Sequence, residues 1–144
     1  MVTSGTRHLV EGAQGRVHLV WRQMIREDYF VMRHVQSDDG GASFSEPGDL
    51  VPGGIIQNLE AAVDICGRLH VVYEDWSEGM SAVRIGYASW DGEWSAPQRL
   101  HPAYTAGELA LAPGMDGTLL LAFFGTTGKV TDRDGLGMMY SELR

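Results

Sequence analysis

The sequence predicts an all-β chain, folded as a β-propeller-type array of three four-stranded blades with the last blade incomplete. Three observations carry this reading. Glycine fills 19 of 144 positions, nearly twice the usual ~7%, which favours many tight turns over long helices. Three segments recur at offsets of 52 and 50 residues: Gly15-Arg-Val-His-Leu-Val-Trp21, Gly67-Arg-Leu-His-Val-Val-Tyr73 and Gly117-Thr-Leu-Leu-Leu-Ala-Phe123. What flanks these segments recurs as well, and four short strands per ~50 residues is the pattern of a propeller blade. One domain, 1–144, then holds blade 1 at about 7–51, blade 2 at about 58–101 and blade 3 at about 107–144. An ordinary β-sandwich is the competing reading, but nothing in it requires several landmarks to recur together.

The elements follow in order. His8–Glu11, Leu59–Asp64 and Glu108–Ala112 read as first strands, each joined by a glycine turn to one of the recurring second strands. A glycine before the second strand supplies the positive φ of a hairpin turn. Tyr29–Val35 and Val83–Ser89 read as third strands, and fourth strands start beyond Phe44 and Trp94. Phe44 and Trp94 lie 50 residues apart, as do Pro47 and Pro97. Gly135–Ser141 matches a third strand in the last blade, with no fourth strand after it.

Composition excludes several classes. Eleven basic against 19 acidic residues leave a net charge of −8, a poor match to nucleic acid or an anionic membrane. The single Cys66 allows no internal disulfide and no Cys-rich zinc site. No apolar run approaches the ~20 residues of a membrane span. The opening MVTSGTRHLV has no apolar h-region, so a cytoplasmic location is the default expectation. His18 and His70 are equivalent by repeat and read as packed strand residues or as histidines with a satisfied hydrogen bond, whereas His8, His34 and His101 share no ligand spacing. No metal and no cofactor is expected.

Ser37-Asp-Asp-Gly-Gly-Ala-Ser-Phe44 resembles the Asp-box, Ser-x-Asp-x-Gly-x-Ser/Thr-Trp/Phe, the mark of BNR-repeat, sialidase-like β-propellers. Ser37, Asp39, Gly41, Ser43 and Phe44 fill its defined positions, and Ser89–Trp94 is a shortened version. The box is structural: Asp accepts backbone N–H groups in its own turn, and the aromatic packs beneath. The resemblance implies a six-bladed ring. Three blades cannot close, so the expectation is a homodimer, three plus three. A fragment of a larger polypeptide remains the alternative.

The resemblance also implies which loops gather at the channel mouth: Arg22–Asp28, Val51–Asn58, Asp75–Ala82, His101–Gly107 and Gly125–Asp134. The Asp-boxes fall on the opposite rim. Arg22, Arg26, Asp28, Gln57, Asn58, Trp76 and Tyr104 are therefore the candidate ligand-binding residues. Polar groups of this kind serve hydroxyls, and Trp or Tyr stacks on a sugar face. Glu60, Glu74, Asp75 and Glu108 are candidate catalytic carboxylates, because glycoside chemistry needs a carboxyl pair at the bond.

The sialidase-like enzymes use an arginine triad, for which Arg22, Arg26 and Arg133 are the mouth's offerings. Their Phe/Tyr-Arg-Ile-Pro segment does not occur here, so true sialidase activity is not expected. The first functional expectation is a module that binds a glycan or another polar small molecule. The second is an enzyme using the channel as a glycoside hydrolase, a lyase or a recruited biosynthetic activity. The third is a protein-interaction scaffold.

Overall fold

The structure, a computed structural model, describes residues 7–79, 83–126 and 137–143. Ten strands run through them: β1 (Arg7–Glu11), β2 (Val17–Arg26), β3 (Tyr29–Ser37), β4 (Gly48–Gly54), β5 (Ile56–Val63), β6 (Leu69–Asp75), β7 (Arg84–Trp90), β8 (Gln98–Pro113), β9 (Leu119–Thr126) and β10 (Gly137–Leu143). Among the described residues there is one 3-10 turn, Ala13–Gly15, and no α-helix. The chain is all-β.

The strands form two antiparallel sheets, one ordered β1-β2-β3-β4 and the other β10-β9-β8-β7-β6-β5. The long β8 serves twice. Its first half pairs with β7 and its second half with β9, the exchange falling at Tyr104, which stands opposite both Arg84 and Thr126. Three units result: β1–β4 (unit 1), β5–β7 with the start of β8 (unit 2), and the end of β8 with β9 and β10 (unit 3).

The glycine turns explain why the hairpins match. β1–β2, β5–β6 and β8–β9 close on Glu11↔Val17, Val63↔Leu69 and Pro113↔Leu119, each pair six residues apart. Within each turn one backbone N–H bonds a carbonyl four residues on: Gly12 to Arg16, Asp64 to Arg68 and Gly114 to Thr118. Gly15, Gly67 and Gly117 sit at φ 76°, 83° and 83°, a conformation that costs other residues energy.

Strand alternation then sorts the side chains. One face of unit 2 sends Leu59, Leu69, Val71 and Tyr73 against Val20, Phe30 and Met32 of unit 1. The opposite face sends Val72 and Ile85 against Leu109, Leu121 and Phe123 of unit 3. All of these are buried, and each such burial contributes roughly 1.5–3 kcal/mol before chain entropy is counted.

Several expected loops are strands instead. β2 runs on through Arg26, paired to Tyr29, so only Glu27 and Asp28 form the turn. Asp28 takes that turn at φ 54°. Ile55 alone separates β4 from β5, and residues 101–107 lie inside β8. Backbone pairing continues further along each strand than polar side chains alone imply. In Asp75–Ala82, Asp75 ends β6 and Met80–Ala82 lie outside the described residues, as does most of Gly125–Asp134.

The Ser37–Phe44 segment is tied by its own side chains. Asp39 Oδ1 accepts the Ser37 hydroxyl (2.7 Å) and the Ser43 N–H (2.9 Å), and Oδ2 accepts the Ser43 hydroxyl (2.6 Å). These bonds, those from Ser43 above all, hold the carboxyl down at about 2. The corresponding turn of unit 2 is shorter. Register places Trp90, not Ser89, at the position of Ser37 (Val17↔Ser37, Leu69↔Trp90).

Candidate functional site

Arg22, Gln57, Asn58, Glu74 and Trp76 are brought together at one end of the first two units. A β-bulge explains how. Between Gln57↔Glu74 and Leu59↔Tyr73 the register slips, and Asn58 is the extra residue. A bulge re-aims its neighbours. Gln57 turns toward unit 1, where its Oε1 accepts from Arg22 Nη1. Asn58 turns the other way and donates its Nδ2 to Glu74 Oε2 at 3.0 Å.

Glu74 is the centre of the cluster. It is 0% exposed, and a buried carboxylate is tolerated only with strong donors around it. Besides Asn58, the Trp76 indole donates its Nε1–H to the same Oε2 at 3.1 Å. Glu74 lies within β6, one residue before its end. Trp76 sits just beyond β6, half-buried, and its backbone N–H bonds the Ile55 carbonyl at 2.8 Å.

Arg22 reaches the same end from unit 1, on the other face of β5. Its Nη1 also donates to the Ile56 carbonyl at 2.9 Å, and its guanidinium lies 4.2 Å over the Phe30 ring. Burial pulls its pKa below the ordinary value. Arg26 and Asp28 stand apart at the exposed turn, Arg26 lying 4.6 Å over the Tyr29 ring.

The four carboxylates divide. Glu60 and Glu74 are both on the face of β5–β6 turned to unit 3. Burial raises the Glu60 carboxyl, opposed by His8, whose Nε2 lies 3.6 Å away, too far for a hydrogen bond. Asp75 points to the opposite face, where it accepts from Ser77 N–H and pairs with Arg99. Glu108 is exposed, with φ 55°, in a bulge between Gly107↔Phe124 and Leu109↔Phe123. It therefore holds in unit 3 the position of Asn58 in unit 2. Arg133 and the side chain of Tyr104 lie outside what the structure describes.

His18 and His70, expected as packed or hydrogen-bonded strand residues, are both hydrogen-bonded, but their partners were not foreseen. His18 Nδ1 is 3.0 Å from His34 Nε2, and Trp90 and Trp94 set their rings edge-on around the pair. His70 bonds Asp64 Oδ2 at 3.0 Å and Tyr87 Oη at 2.8 Å. Neither follows from spacing along the chain. The first needs the β2–β3 register, in which His18 and His34 are diagonal neighbours across His18↔Gln36 and Val20↔His34. A depression of about 380 Å³ lies at the other end of the molecule, beside Asp38, Asp39 and Phe44. It is an open groove over the turn, and no buried polar group of the Glu74 cluster reaches it.

No protein-family model and no curated protein matches the sequence. Solved structures do. The chain resembles the Hadza microbial sialidase Hz136 at 17% identity and a TM-score of 0.65, over 94% of this chain and 34% of that one. It resembles the intramolecular trans-sialidase from Ruminococcus gnavus at 15% identity and a TM-score of 0.50, over 99% of this chain and 33% of that one. The chain spans about a third of the length of these structures. At such identities the likeness is one of backbone architecture, and by that measure the chain has a sialidase-like fold.

Proposed function

We propose that the chain is a β-propeller module of the BNR, Asp-box kind, with its three units as blades. Its Arg22–Gln57–Asn58–Glu74–Trp76 end binds a glycan or another polar small molecule. The hydrogen bonds of Asp39 to Ser37 and Ser43 support the reading of Ser37–Phe44 as an Asp-box. The observation that carries the functional reading is Glu74 Oε2, which holds the Asn58 amide and the Trp76 indole at once. A buried anion spent on fixing an aromatic ring and an amide makes a preorganised platform, and preorganisation is what a weakly binding polyol needs. The fold shared with a trans-sialidase solved with oseltamivir carboxylate, a polar small molecule, is in keeping with this reading.

A glycan array probed with the labelled chain, followed by titration of the strongest hit, tests this. Trp76→Ala should weaken that hit at least tenfold, about 1.4 kcal/mol. A blank array, or an affinity that Trp76→Ala leaves unchanged, rejects the reading.

A second reading, an enzyme, rests on Glu60. Its carboxyl is raised by burial, as a general acid requires, and it shares a face with Glu74. Turnover of aryl glycosides that disappears in Glu60→Gln would favour it, and binding without turnover would reject it.

A further inference from the structure

The chain carries on its two outermost sheet faces the two halves of a seam that it already uses twice inside. At the seam of units 1 and 2, Val20 packs with Ala61, Val71 and Tyr73, at 0%, 7%, 0% and 5% exposure. At the seam of units 2 and 3, Val72 packs with Leu121, Phe123 and the partly buried Leu111. Counted from the closing pairs of the three hairpins, these are the same positions. Val20 and Val72 stand three residues after the start of the second strand. Their partners stand two before the end of the first strand and two and four after the start of the second.

The same count locates a third pair of faces. Leu9, Leu19 and Trp21 on unit 1 take the places of Ala61, Val71 and Tyr73. Ala122 and Leu120 on unit 3 take those of Val20 and His18. Here Leu9 is 68% and Leu120 48% exposed, while Leu19, Trp21 and Ala122 are partly exposed. Apolar surface placed at positions that are buried in two other seams marks an interface.

We infer that a second copy of this chain covers both faces. The Leu120–Ala122 face of each copy seats on the Leu9–Leu19–Trp21 face of the other, making two identical seams about a two-fold axis. The two faces are complementary to one another and not to themselves, because each internal seam joins a face of the Val20 and Val72 kind (last-type) to a face of the Ala61–Val71–Tyr73 kind (first-type). Two copies satisfy both faces of both chains at once, and such a ring closes without leaving an open end. The inference is independent of any ligand.

Sedimentation equilibrium of the full chain tests it. The expected mass is twice 15.8 kDa. Leu9→Arg and Leu120→Arg, each at a position exposed in the single chain, should separately reduce it to one chain while the near-UV circular dichroism keeps its folded form. A wild-type chain at 15.8 kDa overturns the proposal. So does a mass that climbs beyond two copies with concentration, since the seam would then propagate without closing. A pair that withstands Leu120→Arg also overturns it, since first-type faces would then be meeting each other. The wild-type mass decides even if a variant fails to fold.

Discussion

His18 and His34 share one hydrogen bond, 3.0 Å from Nδ1 to Nε2, so the line between them has room for one proton and not two. Both rings are buried, and the remaining nitrogen of His18, Nε2, has no hydrogen-bond partner among the described residues. Trp90 packs edge-on against both rings and Trp94 against His34, while Arg16 and Asp38 are the nearby charges acting on His18. Desolvation lowers both imidazoles, His34 to about 4, where the neighbouring His18 lowers it further.

Acid should therefore loosen the seam between units 1 and 2. A histidine with a depressed folded pKa takes up its proton in the unfolded state first. Its stabilising contribution is complete above 6.5 and drains away as pH falls toward about 4. The expected loss by pH 4 is roughly 2–3 kcal/mol. Thermal melts from pH 8 to pH 4 check this. His34→Gln should flatten the slope, and an equally steep slope in that variant would place the acid sensitivity elsewhere.

Asp39 governs a lower window. Its folded carboxyl lies at about 2 against an ordinary 3.8, so what it contributes is present above 3.8 and disappears as pH falls through 2. Asp39→Ala should lower the Tm at pH 7 by a few degrees, and the gap from wild type should close near pH 2. Ligand affinity at the Trp76 end should not change. Lost binding in a folded Asp39→Ala chain would put the ligand at the groove beside Phe44.

Glu74→Gln keeps the shape and removes the charge. One oxygen remains for two donors, each of which loses charge assistance, at a cost of about 1–3 kcal/mol. The Trp76 indole is then held less firmly. Trp76 fluorescence, read in a background with the other three tryptophans replaced, should become more mobile in anisotropy decay. An unchanged decay would mean that the indole is held by packing alone.

Gly86 is a packing glycine and not a turn glycine. A Cβ added there lands inside the ring of Tyr73, which is 5% exposed in the core of the first seam. Gly86→Ala should cost about 1–3 kcal/mol by overpacking. In a Tyr73→Leu background the same substitution should cost far less, and chemical denaturation of the four proteins gives the coupling directly. Additive losses would show that the ring is not what occupies the space.

The parts of this fold that were legible were those set by chain-local chemistry. Gly15, Gly67 and Gly117 mark their turns because few other residues tolerate that φ, and the apolar runs that follow them have no other use than to be buried strands. The far ends of the strands were illegible for the opposite reason. Arg22–Arg26 looks like a loop because Arg22, Gln23 and Arg26 break the apolar run, yet its backbone pairs regularly until the bulge between Met24 and Arg26. At the site, Trp76 and Glu74 were legible as residue types. Their union through Asn58 was not, because a bulge depends on the partner strand. The His18–His34 contact was hidden for the same reason.

The connections between units are unequal, and this makes the molecule mechanically lopsided. Units 2 and 3 share β8, which pairs with β7 as far as Tyr104 and with β9 from Tyr104 onward, so one continuous strand crosses from one unit into the other. Units 1 and 2 belong to separate sheets, joined along the backbone by Ile55 and held otherwise by side chains. A pull on the chain, or a fluctuation of comparable size, will part the molecule where no ladder has to be torn. That fault line passes between Arg22 and Gln57 at one end and between His34 and Trp90 at the other. The proposed ligand would thus span the fault line and act as a clasp, and protons entering at the opposite end would act as a wedge.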